Sequence, residues 1–391
     1  MAILLLAFIY ISFISLGLPD SMLGAAWPVI RSDLNLPVYT AGIISLTITC
    51  STVVSSMLNP FIVKKIGTGK IVVISTLFSS IGLFTFSHAP SFVFLGLSAV
   101  LIGLGGGSID AALNNFVALH YQAKHMNWLH SLWGVGTTLG SYIISIFIVY
   151  PEGWRKGYLV VSAFQLLLAT LFFILLPVWN IYEKDNNNKS SNIRKNERKK
   201  SLLFASAAIS IITFFFYCAI ETTTGLWASS FLVNYKHISP SIAAKGTSSF
   251  FFGITIGRIL SGFVSMKLSG KKIIRLSLAL LFTGIFVLLT DVPQMIYLFG
   301  FALIGFGCAP IFPTMMHETP KRFGEDISHI VISMQMAAGY LGSALAPLLF
   351  GIVISMIGVY VLPLYLLILL FILTLFTELL NYQLNKKAEG L

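Results

Sequence analysis

The sequence predicts an all-α membrane protein of twelve transmembrane helices, arranged as two pseudo-symmetric bundles of six. Three observations carry that prediction. Of 391 residues, 56% are apolar and only 10% are charged, whereas soluble domains run near about one quarter charged. Twelve stretches are long enough to cross the hydrocarbon, which takes about 20 apolar residues per helix. Short glycine-bearing motifs in the first half recur in the second at a nearly constant offset. An ordinary soluble fold, a disordered chain and a disulfide-stapled one are therefore excluded. Cys50, Cys218 and Cys308 lie scattered in apolar runs, with neither metal-ligand nor disulfide spacing.

Taken in order, the predicted spans are 3–30, 38–63, 70–88, 91–119, 128–150, 157–179, 203–233, 240–266, 272–291, 293–317, 327–355 and 357–380. The opening MAILLLAFIYISFISLG lacks a basic leading region and an A-x-A-like cleavage site, and its apolar run continues past Asp20 to Ile30. It reads as the first span, not as a signal peptide.

Positive charge orients the spans. The chain holds 25 Lys and Arg against 14 Asp and Glu, a net +11. With the N-terminus inside, Lys64, Lys65, Lys70, Lys124, the linker cluster Lys184 to Lys200, Lys267, Lys271, Lys272, Arg275, Lys321, Arg322, Lys386 and Lys387 all fall on the cytoplasmic side. Only Arg31, Arg155, Lys156, Lys236 and Lys245 fall outside, and Arg258 lies within a span. That bias places both termini in the cytoplasm. The basic balance thus points to a bilayer and not to a nucleic acid. The longest polar stretch, 181–201, is read as a solvated cytoplasmic linker between a bundle of 1–180 and one of 202–391.

The halves repeat. Ile102-Gly103-Leu104-Gly105 returns as Ile304-Gly305-Phe306-Gly307, and Leu139-Gly140-Ser141 as Leu341-Gly342-Ser343, both 202 residues later. Asp20, Gly24 and Trp27 in span 1 correspond to Glu221, Gly225 and Trp227 in span 7. Duplicated six-span units are typical of secondary transporters with a solute site between the halves.

Asp20, Asp110 and Glu221 are the acids deep inside spans. Each lies about 25–28 Å along its helix axis, at about 1.5 Å per residue. An acid there costs about 2.5–3.5 kcal/mol to insert, which marks it as a functional candidate, with a hydrogen-bonded structural carboxylate as the plain alternative. Asn114 shares a helix face with Asp110 one turn on. His130, Trp133 and Thr137 share a face of span 5, and Gln335 lies on span 11. Trp27 and Trp227 either stack on a solute or serve as interface-belt residues. Arg258 either pairs with a carboxylate or snorkels to the nearby surface. Gly103, Gly105, Gly106, Gly107, Gly134, Gly136 and Gly140 are expected to let helices approach closely. Gly67-Thr68-Gly69-Lys70 lacks Walker spacing, so no ATP hydrolysis follows. With no catalytic constellation, zinc spacing or dinucleotide fingerprint in view, neither enzyme activity nor a cofactor is expected.

The segment Asn59-Pro60-Phe61-Ile62-Val63-Lys64-Lys65-Ile66-Gly67-Thr68-Gly69-Lys70 resembles the major facilitator loop pattern G-x-x-x-D-R-x-G-R-K. Lys65, Gly67 and Lys70 match it. Lys64 replaces the Asp and Pro60 the leading Gly. Gly257-Arg258-x-x-x-Gly262 resembles its second-half equivalent, and Trp154-Arg155-x-Gly157-Tyr158 is similar to the W-R-x-x-[FY] element before span 6. Within that superfamily, Asp110-Ala111-Ala112-Leu113-Asn114-Asn115-Phe116 resembles the E-T-A-A-N-P-F of the fucose–galactose–proton symporters, with Asp for Glu and Asn115 for Pro. Asp20 falls where that family carries an intramembrane Asp, and Phe312-Pro313-Thr314 is similar to its Y-P-T.

The resemblance implies the major facilitator fold and a secondary transporter of a small polar solute, a sugar first, moved with protons by alternating access. It implies a monomer in the cell membrane, and structural or gating roles for Lys65, Gly67, Lys70 and Arg258. Asp20, Asp110 and Glu221 are the expected proton-coupling groups, with Asp20 as carrier. Asp110, Asn114, His130, Trp133, Trp27, Glu221, Trp227 and Gln335 are the expected solute contacts. A proton-coupled exporter of drugs or metabolites shares these features. A receptor or scaffold needs no acids in matching helices of both halves.

Overall fold

The computed structural model describes residues 2–121, 123–177, 179 and 201–388. The predicted linker 181–201 lies outside the described residues except for Ser201. All regular structure among the described residues is helical: α1 (Ala2–Asp33), α2 (Thr40–Ile66), α3 (Thr68–Ser87), α4 (Phe92–His120), α5 (Ala123–Phe147), α6 (Gly153–Ile174), α7 (Ser201–Asn234), α8 (Pro240–Val264), α9 (Gly270–Leu289), α10 (Gln294–Cys308), α11 (Ile311–Phe323), α12 (Glu325–Met356) and α13 (Leu362–Ala388).

Each predicted span has its helix, with two departures. The tenth span breaks into α10 and α11 around Ala309 and Pro310, where proline lacks the N–H needed to carry the ladder on. The fifth span, α5, is long enough to cross a membrane but falls outside the eleven helices among the described residues that are also apolar enough. Its Ser131, Thr137, Ser141 and Ser145 are buried against protein. The face of α5 packed on other helices needs no lipid-compatible surface, so it can carry these polar groups, while Leu139, Tyr142 and Ile146 occupy its exposed face.

Lipid is as apolar as leucine, so helices in it are held by close packing and hydrogen bonds. The sequence supplies both. Ser80 Oγ donates to the Ser162 carbonyl and Ser162 Oγ to the Ser80 carbonyl, each at 2.9 Å, which clasps α3 to α6. Ser56 Oγ donates to the Gly107 carbonyl at 3.0 Å, and Ser55 and Ser108 share a hydrogen bond, tying α2 to α4. A methyl group at Gly140 would collide with the Leu18 carbonyl, so α1 and α5 touch backbone to backbone. A methyl group at Gly24 would strike the carbonyl of Gly225, its equivalent in the repeat, where α1 crosses α7.

The core shows how the halves sit. One buried cluster joins Leu18 to Ile30 of α1 and Ile144 of α5 with Ile220 to Leu232 of α7, Phe250 of α8 and Phe350 of α12. Those residues lie toward the far end, opposite the chain termini. Toward the terminal end the core splits in two. Leu5, Ile9, Phe13, Phe116 and Leu129 pack within the first six helices. Ala207, Ile209, Phe323, Val331 and Leu380 pack within the later ones. The halves are sealed at the far end and part toward the termini.

Candidate functional site

Where that shared core ends, the intramembrane charges begin. Asp20 lies mid-way along α1 and is solvent-exposed, which inside a helical bundle requires an open cleft beside it. Its Oδ2 accepts a hydrogen bond from the indole Nε1 of Trp133 on α5, at 2.8 Å. Asp110 of α4 is half-buried and near enough for its charge to act on Asp20. Its Oδ1 accepts from Asn114 Nδ2 at 2.8 Å, one turn along α4. The Asn114 Oδ1 is buried and has no partner among the described residues. Tyr340 of α12 lies beside Ser56 of α2 and within reach of the Asp110 charge, so the second half contributes a phenol to this wall.

Across the cleft the arrangement is different. Glu221 of α7 is the acceptor of the Tyr217 hydroxyl through Oε2, and its Oε1 lies 3.8 Å from Arg258 Nη2 on α8. Both charged side chains are mostly covered, at 14% and 12% exposure. At that separation the attraction is on the order of 4 kcal/mol in a partly shielded setting. Desolvation takes back most of it, so losing one partner costs more than the pair contributes. Arg258 also donates to the His130 carbonyl at 3.3 Å and stacks 4.8 Å over the Trp133 ring. Its pairing settles the sequence alternatives in favour of the carboxylate and against snorkelling. The Gly257-Arg258-x-x-x-Gly262 pattern lies inside α8 and not in a loop.

The other expected residues divide. The His130 ring sits between Phe13 and Phe312, with centroids 5.9 and 6.1 Å away, which places it at the seam. Trp27 and Trp227 are fully buried in the shared far-end core, and Trp227 Nε1 donates to the Pro347 carbonyl at 3.0 Å. Neither faces the cleft, because the closed far end covers both. Gln335 is also sealed. Its amide donates to Ser210 at 2.7 Å and accepts from Thr319 at 3.1 Å, inside the second half. Lys65 and Lys70 are exposed at the terminal end and flank Gly67, whose φ of 83° lets the chain turn from α2 into α3.

The sequence reading overlooked Tyr217 and Tyr340. Tyr217 had a signal, since it lies four residues before Glu221 on the same helix face. Tyr340 had none, because its neighbours come from α2 and α4.

The sequence pattern of the Major Facilitator Superfamily matches residues 9–232 and again 209–390. The chain belongs to that superfamily. It is a multi-pass membrane transporter. The glucose/mannose transporter GlcP of Bacillus subtilis is 22% identical over 351 residues, covering 88% of this chain and 86% of that protein. Among solved structures, a variant of the nucleoside transporter NupG aligns with a TM-score of 0.74 at 15% identity, covering 96% of this chain and 98% of that one. A D-xylose–proton symporter aligns at 0.71 and 13% identity, covering 94% and 96%. This superfamily member shares their fold across nearly its whole length.

Proposed function

We propose that the chain carries a small polar solute, a sugar before other classes, across the cell membrane together with protons by alternating access. The observation that carries this reading is the pair Asp20 and Asp110. Both lie deep in helices beside the cleft, and neither has an ion-pair partner among the described residues. A carboxyl group with only neutral partners can gain and lose a proton as the cleft wets and closes. A carboxylate can also accept hydrogen bonds from sugar hydroxyls, while the free Asn114 Oδ1 adds another acceptor. An acceptor-lined wall suits a hydroxyl-rich solute better than the apolar drugs an exporter would carry. The names of the sugar-handling relatives point the same way.

Glu221 takes a different role from the one its repeat position suggested. Arg258 balances its charge, so proton carriage falls to Asp20 and Asp110. Residues 1–180 and 202–391 are taken as the two moving units, with the parted end and both termini facing the cytoplasm. The test is uptake into proteoliposomes under an imposed proton gradient, across a panel of sugars. Wild-type protein should accumulate at least one of them. Asp20→Asn should lose gradient-driven accumulation while retaining exchange of that sugar across the bilayer. Full accumulation by Asp20→Asn would show that the proton travels by another route.

A further inference from the structure

The contact between α5 and α8 is a ladder that runs across the two halves and ends at Arg258. From the far end inward, Ser241 Oγ donates to the Ser145 carbonyl at 2.7 Å and Ser248 Oγ to the Thr138 carbonyl at 3.0 Å. Thr255 and Thr138 hydroxyls then meet at 3.4 Å, and Arg258 reaches the His130 carbonyl at 3.3 Å. Past that rung no hydrogen bond joins α5 to α8 among the described residues, and Trp128 of α5, at 53% exposure, and Phe263 of α8, at 61%, stand open. Arg258 is thus the last hydrogen-bonded link of the α5–α8 seam among the described residues.

The same guanidinium has two anions within its surroundings, one in each half. Glu221 is reached directly at 3.8 Å. Asp20 is reached through one indole, whose N–H donates to the carboxylate at 2.8 Å while its face holds Arg258 at 4.8 Å. Donating a hydrogen bond to a full negative charge pushes electron density onto the ring, and bonds in such a chain reinforce each other. A richer ring face holds a cation more tightly. Neutralising Asp20, by a proton or by a solute, weakens that hold and leaves Arg258 to Glu221 in its own half.

We propose that Arg258 is a positioning residue that converts the charge state of Asp20, read through Trp133, into the strength of the last rung between the halves. The inference rests on the transport reading only for its purpose, since the coupling itself is a property of the protein without solute. Glu221 competes with the first half for Arg258. Removing Glu221 and removing Asp20 should therefore move the far-end seal in opposite directions, which a purely structural ion pair would not do.

The experiment reads opening of the far end by thiol labelling of purified protein in detergent. Ser229 is fully buried at the seam, where its Oγ donates to the Ala25 carbonyl of α1 at 3.1 Å. Ser229→Cys, in a background with Cys50, Cys218 and Cys308 replaced by serine, should react slowly with a polar maleimide. Arg258→Gln, Asp20→Asn and Trp133→Phe should each raise the rate about threefold to tenfold, the range expected for a lost cation–π contact of partly desolvated kind. Combining Asp20→Asn with Trp133→Phe should add nothing further. Glu221→Gln should lower the rate. Should Arg258→Gln fail to elute as a folded protein, Trp133→Phe carries the same test, because it keeps an aromatic ring under Arg258 while removing the N–H donor together with the second ring of the indole. Unchanged rates, additive effects of Asp20→Asn and Trp133→Phe, or a faster rate in Glu221→Gln would each overturn the proposal. Since no solute is present, the result stands whether or not a sugar is carried, and a failed uptake assay alone would count only against the transport reading.

Discussion

At the scale of single residues, two amides that look alike in the sequence have opposite fates. Asn114 is held by the carboxylate that it serves, at the edge of the cleft, with its oxygen unpartnered among the described residues. Gln335 is closed off in the second half with both ends of its amide engaged. Replacing each with leucine separates the roles. Asn114→Leu removes a hydrogen bond to a charged group, worth about 1.5–3 kcal/mol. It should cut solute uptake by roughly tenfold to a hundredfold, with thermal stability little changed. Gln335→Leu strands the buried hydroxyl of Ser210, at about 1–3 kcal/mol, while Thr319 keeps its bond to the Met315 carbonyl. It should lower the unfolding temperature while leaving the apparent solute affinity of the remaining folded protein unchanged. Paired uptake and thermal-melt measurements check both. A loss of affinity in Gln335→Leu would return that residue to the solute path.

At the scale of elements, the glycines of α4 show what close approach demands. A methyl group at Gly107 would strike the Thr52 carbonyl, and one at Gly103 the Ile48 carbonyl, so α2 lies directly on α4 along that stripe. Gly106 points elsewhere. A methyl group there would meet only the Leu16 side chain, at an ordinary contact distance of 3.5 Å. Gly106→Ala should therefore melt at or slightly above the wild-type temperature, because alanine is the better helix former by up to about 1 kcal/mol. Gly107→Ala should yield less folded protein and a clearly lower melting temperature. Size-exclusion yield and thermal melts of the two variants decide it, and equal behaviour would refute the packing assignment. From the run Gly105-Gly106-Gly107 alone, the three positions could not be told apart. The direction each faces depends on which helix lies across from it.

At the scale of the whole molecule, the shared core at the far end and the divided core at the terminal end define one closed and one open side. Transport by alternating access requires that seal to break. Ser145 and Ser241 stand at its outermost α5–α8 rung. Introducing Ser145→Cys with Ser241→Cys and oxidising the pair should stop uptake almost completely. Reduction should restore it, and the single variants should be indifferent to oxidant. Uptake that continues in fully cross-linked protein would mean that this seam stays shut throughout the cycle.

The sequence alone determined the number and order of the spans, because the hydrocarbon imposes a length and an apolarity that each crossing helix must meet by itself. It also determined the internal repeat and marked Asp20, Asp110 and Glu221, since a charge inside an apolar run is conspicuous without any neighbour. What it left open was pairing. That Arg258 belongs with Glu221, that Trp133 serves Asp20, and that Trp27, Trp227 and Gln335 are sealed away depends on contacts between helices far apart in the chain. Only the tertiary structure decided those, because hydropathy records what one helix offers to its surroundings, while a charge or an amide takes its role from the group that faces it.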